Sequence, residues 1–246
     1  MNTFLEDQII LVDKPANISS FGVVAKVRNK LRNELGHKIK VGHTGTLDPF
    51  ATGLLILLTG KMTKRSNEFL KLDKTYEATL KLGYTSTTGD PEGKISKYQT
   101  SKDILIQNKT ANTININQSS YPKTDTKKYS RKDISLVLNN YIGTIRQTPP
   151  KFSAIKINGE RAYKLARRNQ DFEVPSREVT IYSIEILNYN HPELKIRCHV
   201  SSGTYIRTLA EDIGRKLGTG AYLTALRRSS IGTFDIKNAH PINDVI

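Results

Sequence analysis

Residues 42–55 read GHTGTLDPFATGLL and set one carboxylate, Asp48, among residues that turn the backbone, immediately before an apolar run. The glycines, threonines and Pro49 predict a turn around Asp48. The run after Gly53 is apolar enough to require burial and so to anchor that turn. A charge this close to a core is costly unless it is paired. Asp48 is therefore either a local turn residue or a reactive group held at the lip of a pocket, and the rest of the chain has to distinguish the two.

Working outward, DQIILVDKP reads as a short strand stopped by Pro15. SSFGVVAKVRNKLRNELG places Val23, Val24, Val27 and Leu31 at helical spacing behind a Ser19 or Ser20 cap, with Gly36 as the stop. KTYEATLKLG alternates Tyr76, Ala78, Leu80 and Leu82. REVTIYSIEILNY is β-branched and aromatic, and ELKIRCHVSSG alternates Leu194, Ile196, Cys198 and Val200. Helical spacing returns in GTYIRTLAEDIGRKLG through Ile206, Leu209, Ala210, Ile213 and Leu217, with Gly218 ending it. Long strands with few, separated helices predict an α+β fold around a mixed sheet rather than a regular βαβ winding. No linker divides the chain, so residues 1–246 read as a single domain. One stretch stands apart: residues 95–130 are rich in Asn, Gln, Ser, Thr and Lys, and predict a polar, mobile insertion.

Lys and Arg number 38 against 23 Asp and Glu, a formal net charge of +15. Such an excess favours a polyanionic partner, because each neutralised phosphate releases a condensed counterion. No apolar run reaches the length of a membrane span, and the N-terminal MNTFLEDQII carries acids where a signal peptide carries bases, so a cytoplasmic protein is expected. The single cysteine, Cys198, excludes a disulfide framework. Several chemistries lack their residues. There is no G-x-S-x-G, the five histidines have no ligand spacing, GHTGTLDP lacks the P-loop lysine, and GTGAYL lacks the third glycine of a dinucleotide fingerprint. Neither a metal nor a cofactor is expected.

Five ordered blocks then carry a resemblance: GHTGTLDPFATGLL, DKTYEATLKLG, QTPPKFSAIKINGERAYKLAR, SSGTYIRTLAEDIGRKLG and LRRSSIGTFDI. Together they resemble the bacterial tRNA pseudouridine synthase B (TruB) family, from about Gln8 to Ile236 with the polar insertion excepted. The resemblance implies the pseudouridine synthase fold, a mostly antiparallel sheet flanked by helices. It further implies a thumb-like RNA-gripping segment at about 141–175, and no C-terminal RNA-binding domain is evident beyond the last block. The implied activity converts a uridine of the tRNA T-loop, at the position numbered 55 in tRNA, into pseudouridine. The implied partner is the T-loop and T-stem of tRNA, met by a monomer with no obligate protein partner.

Isomerising a nucleoside breaks one glycosidic bond and forms another without net redox change or hydrolysis, and the nucleophile or electrostatic partner it needs for the detached ring or sugar can be a carboxylate. By resemblance that carboxylate is Asp48, with Arg207 and Tyr76 as its companions in catalysis. Arg207 falls in the first turn of a helix, where the macrodipole disfavours a cation. A buried pair with Asp48 would offset this and lower the carboxylate's pKa. Tyr76 would stack on the uracil, Leu226 would line the same pocket, and His43 would bind substrate by filling the space that the flipped nucleotide leaves. Rim cations would hold phosphates: Lys14 and Arg227, with Lys64, Arg65, Arg161, Lys164, Arg167, Arg168 and Arg228. Two other classes compete. A non-catalytic RNA-binding module leaves Asp48, Tyr76 and Arg207 unexplained together, and a glycosidase would need Glu77, Asp90 or Glu211 as an acid partner.

Overall fold

The structure, a computed structural model, describes residues 6–99 and 129–245. Its main sheet has ten strands: β1 (Ile9–Lys14), β2 (Val41–His43), β3 (Thr52–Thr59), β4 (Lys74–Leu82), β7 (Gly143–Gln147), β10 (Arg177–Asn190), β11 (Glu193–Val200), β12 (Ala221–Ile231), β13 (Phe234–Asp235) and β14 (His240–Pro241). Two small hairpins lie apart, β5 (Tyr84–Ser86) with β6 (Ile95–Lys97), and β8 (Lys156–Ile157) with β9 (Glu160–Arg161). The sheet runs β14-β1-β3-β12-β4-β11-β10-β7, with β2 added to β3 and β13 to β12. Its pairs are antiparallel except β1 with β14 and β3 with β12. The expected mixed, mostly antiparallel sheet is therefore present.

The apolar run after Asp48 is β3, and it is buried on both faces. Leu55 and Leu57 pack with Val23, Val24, Val27 and Leu31 of the helix Ser20–Leu35, whereas Leu54, Ile56 and Leu58 pack with Phe69 and Ile231. A strand covered on both sides reads as a continuous apolar run rather than an alternation. That helix is capped by the Ser19 side chain, which accepts from the Gly22 N–H, and it ends at Gly36 in the left-handed conformation, φ 74°. In β4, Lys74, Tyr76, Ala78, Leu80 and Leu82 are buried and the intervening residues are partly exposed. The large core joins β4, β11 and β12 to the helices Arg131–Asn139 and Ile206–Leu217.

At the 95–130 segment the two ends are ordered. Ile95–Lys97 pairs with β5, and Ser130 forms a capping box with Asp133 at the start of the helix Arg131–Asn139. The insertion expected between them lies mostly outside the described residues. In the 141–175 segment, Gly143–Gln147 is an edge strand of the main sheet, and the rest carries the β8–β9 hairpin and the short helix Ala162–Arg167. Among the described residues no helix is long and apolar enough to cross a membrane.

Candidate active site

The Asp48 turn is pinned from several directions. The buried hydroxyl of Ser20 donates to the Leu47 carbonyl at 2.9 Å and accepts from the Leu47 N–H at 2.8 Å. The Pro49 carbonyl accepts from the Asn17 N–H at 2.9 Å and from Lys14 Nζ at 3.1 Å. Arg228, almost fully buried, donates to the Leu54 carbonyl at 2.8 Å and to the Gly45 carbonyl at 3.0 Å. Gly53 has φ 105°, and a Cβ there would lie 2.3 Å from the Arg228 carbonyl oxygen. Only glycine lets β3 approach β12 this closely.

Arg207 lies in the first turn of the helix Ile206–Leu217 and is 4% exposed. Its Nη2 donates to Asp48 Oδ1 at 3.3 Å, and its Nε sits 3.0 Å from Oδ2, at ion-pair distance without hydrogen-bond alignment. Nη1 faces Asp90 Oδ2 at 3.3 Å, and the guanidinium also donates to the carbonyls of Thr88 and Phe152, at 3.0 and 2.9 Å. Two carboxylates and two carbonyls thus compensate a cation at the unfavourable end of a helix dipole. Buried Gln147, at the end of β7, fixes that helix start by bonding both backbone groups of Tyr205, at 2.8 and 3.0 Å.

Asp90 is itself organised by the turn before it. Its Oδ1 accepts from Thr88 Oγ1 at 2.5 Å and from the Glu92 N–H at 3.0 Å. Sequence reasoning offered Asp90 only as one of three possible acid partners and missed Gln147. The available signal for Asp90 was its setting in a turn-forming run, TTGDPEG. Of the other two acids, Glu77 stands apart, bonded to Lys195 and Arg197 at 2.9 and 3.1 Å, whereas Glu211 lies one turn after Arg207 beside Gly89, where burial raises its carboxyl despite Arg207.

Electrostatics at Asp48 differ from the sequence expectation. Burial pushes its carboxyl above the ordinary aspartate value, and neighbouring Asp90 adds to that. Arg207 and Lys14 pull the other way without reversing it. The anticipated lowering by Arg207 exists as a contribution but loses to desolvation.

The remaining expected residues divide. Tyr76, 8% exposed, sits on β4 between Cys198 and Arg228 and shares a hydrophobic cluster with Leu226 and with Leu47 and Ala51, which bracket Asp48. His43 ends β2, and its Nδ1 accepts from the Gly45 N–H at 3.4 Å. Burial and the Arg228 charge hold its pKa below the usual histidine value, which favours the neutral ring. Lys14 departs from the expected rim role. It is fully buried, and Nζ is spent on the carbonyls of Pro15, Ile18 and Pro49, at 2.9, 2.7 and 3.1 Å, leaving no donor for a phosphate. Its burial lowers the pKa to about 8. Arg228 departs in the same way, through its carbonyl bonds. Arg227 stays half-exposed and makes a bidentate pair with Asp13 at 2.7 and 3.0 Å, beside an open groove of about 610 Å³. No cluster of three or more metal-ligating side chains occurs among the described residues.

Comparison with known proteins fits this geometry. The profile described as "TruB family pseudouridylate synthase (N terminal domain)" matches residues 30–121 and 104–206, and that of the "tRNA pseudouridylate synthase B C-terminal domain" matches residues 207–246. The latter residues contribute the Ile206–Leu217 helix and β12 to the main body of the fold. The chain is 44% identical over 230 residues to the tRNA pseudouridine synthase B of Phocaeicola vulgatus, covering 93% of this chain and 87% of that one. With the protein of the same description from Flavobacterium johnsoniae it shares 40% over 238 residues, covering 96% and 93%. Among solved structures, a chain of a Cbf5-Nop10-Gar1 complex superposes with a TM-score of 0.65 at 25% identity, over 97% of this chain and about half (53%) of that chain. On these matches, and with the pseudouridine synthase fold around an Asp48–Arg207 pair, the chain belongs to the TruB family of tRNA pseudouridylate synthases.

Proposed function

We propose that this tRNA pseudouridine synthase isomerises the T-loop uridine at position 55 of tRNA, with Asp48 as the carboxylate on which breaking and re-forming the glycosidic bond depends. The observation that carries this reading is Asp48 on a pinned turn, paired with an arginine that is itself buried and oriented by Asp90. The uridine has to leave its stack to reach Asp48, at a cost of about a few kcal/mol. A neutral His43 suits the vacated space, and Tyr76 with Leu226 suits one face of the displaced uracil. Arg207 favours the ionised carboxylate in a site from which water is excluded. Phosphate contacts come from the exposed cations and not from Lys14 or Arg228.

The test is release of tritium from 5-tritiated uridine in unmodified tRNA, with base-resolution mapping of the product. Wild-type protein releases label at the T-loop position, and Asp48→Asn, although folded and tRNA-binding, does not. Absence of release by wild type in a single turnover would sink the reading, and release confined to another loop would correct the substrate.

A further inference from the structure

Phe21 is the most exposed large hydrophobic side chain among the described residues, at 64%. It directly follows Ser20, whose hydroxyl is bonded to both backbone groups of Leu47. One turn earlier, Asn17 is bonded to Pro49. The backbone that carries the Phe21 ring is thus fixed to the backbone that carries Asp48. The Arg28 guanidinium lies over the ring, 5.9 Å from its centroid. The first turn of this helix holds no acid, and its sequence brings Lys26, Arg28, Lys30 and Arg32 against the single Glu34, which pairs with Lys30 at 3.1 Å.

An aromatic ring left in water beside the Asp48 turn, backed by Arg28 and with Arg32 one turn further along the same side of the helix, has the composition of a stacking platform for single-stranded nucleic acid. Every base presents a π-face, and the guanidinium serves both the ring and a nearby phosphate. A purely apolar protein partner would be poorly matched to a ring that carries an arginine on one face. We propose that Phe21, supported by Arg28, is a further substrate-binding site that stacks on an unpaired base of the RNA next to the uridine presented to Asp48. This rests on the functional reading above.

The experiment compares Phe21→Trp, Phe21→Leu and Arg28→Gln, using unmodified tRNA for affinity and for single-turnover pseudouridine formation at saturating RNA. Leucine keeps apolar bulk but has no ring, so Phe21→Leu binds about 5- to 100-fold more weakly while its maximal rate stays near wild type. Phe21→Trp binds at least as well as wild type. Arg28→Gln flattens the dependence of log affinity on log salt by about one unit of slope. Wild-type affinity in Phe21→Leu overturns the proposal, as does equal weakening in the Trp and Leu variants. If wild type binds tRNA without converting uridine, the functional reading fails instead, and the affinity comparison of Trp with Leu still decides the platform.

Discussion

Arg207 meets Asp48 across 159 residues of sequence, with Nε 3.0 Å from Oδ2 and Nη2 3.3 Å from Oδ1, while Nη1 faces Asp90. One planar group therefore meets both oxygens of Asp48 along one edge and Asp90 along another, a fixed fork that an ammonium, with all three donors on one nitrogen, cannot reproduce. Arg207→Lys retains the charge but loses this geometry. Its single-turnover rate on unmodified tRNA is expected to fall by about 100-fold, the scale of a misplaced reacting group. A thermal melt run alongside checks that the variant is folded, and a folded Lys variant at wild-type rate contradicts the argument.

The Asp48 carboxyl is raised chiefly by burial, with Asp90 adding to it and Arg207 opposing. Chemistry that needs the carboxylate gains with rising pH, so kcat/KM climbs through a pKa above the ordinary aspartate value. In Asp90→Asn one like charge disappears and Arg207 is left to Asp48. The acidic limb of that variant moves to lower pH even as its rate at pH 7 drops through loosened Arg207. A limb that stays in place or moves upward contradicts the assignment.

Lys14 and Lys74 are both buried on backbone carbonyls, and burial lowers each to about 8. Their unfolded value is 10.5, so between about pH 8 and 10.5 the unfolded chain binds more protons and these lysines make stability rise with pH. Lys14→Met removes about half of that rise, read as the change in urea midpoint across the window. The same variant frees the Pro49 carbonyl and loosens the Asp48 turn. An unchanged pH slope excludes Lys14 as a source.

Gly53→Ala forces a Cβ to within 2.3 Å of the Arg228 carbonyl oxygen and 2.7 Å of its nitrogen, in a backbone conformation at φ 105° that L-residues rarely adopt. The neighbour is backbone and cannot swing aside. The substitution is expected to cost at least about 2 kcal/mol by chemical denaturation, from overpacking and strain together. A loss under about 0.5 kcal/mol, the range of a neutral surface change, contradicts it.

Much of the fold was legible where burial is one-sided. β4 and β11 alternate because one face meets the core, and the Ser20–Leu35 helix shows both its spacing and its caps. β12 was not legible. Its register shifts at Leu223/Ala225 and Arg228/Ser230 break the two-residue period, and Arg227-Arg228 reads as surface. The burial of Arg228 depends on carbonyls of residues 45 and 54, which no local pattern reveals. At the candidate site, the ordered blocks pointed to Asp48, Tyr76 and Arg207 as expectations and the structure brings Asp48 and Arg207 into contact, whereas Gln147 and the contact between Arg207 and Asp90 had no local signal, because each depends on long-range contact. The direction of the Asp48 shift was misjudged for the same reason: the desolvation that long-range packing imposes on a side chain still 31% exposed is not written in the turn that carries it.

β12, the last long strand, lies between β3 and β4 in the sheet. Until it docks, the early strands β1 and β3 have no strand pairing to the half formed by β4, β11, β10 and β7. A chain in which this strand is unpaired carries Asp48, Tyr76 and Arg207 without the sheet that joins them. The two halves join through residues 221–231, so a chain lacking that strand loses Leu226 and also the frame that brings Asp48, Tyr76 and Arg207 into register. One strand thus joins two parts of the sheet that, among the described residues, share no other strand pairing, and the placing of Asp48 opposite Arg207 depends on it.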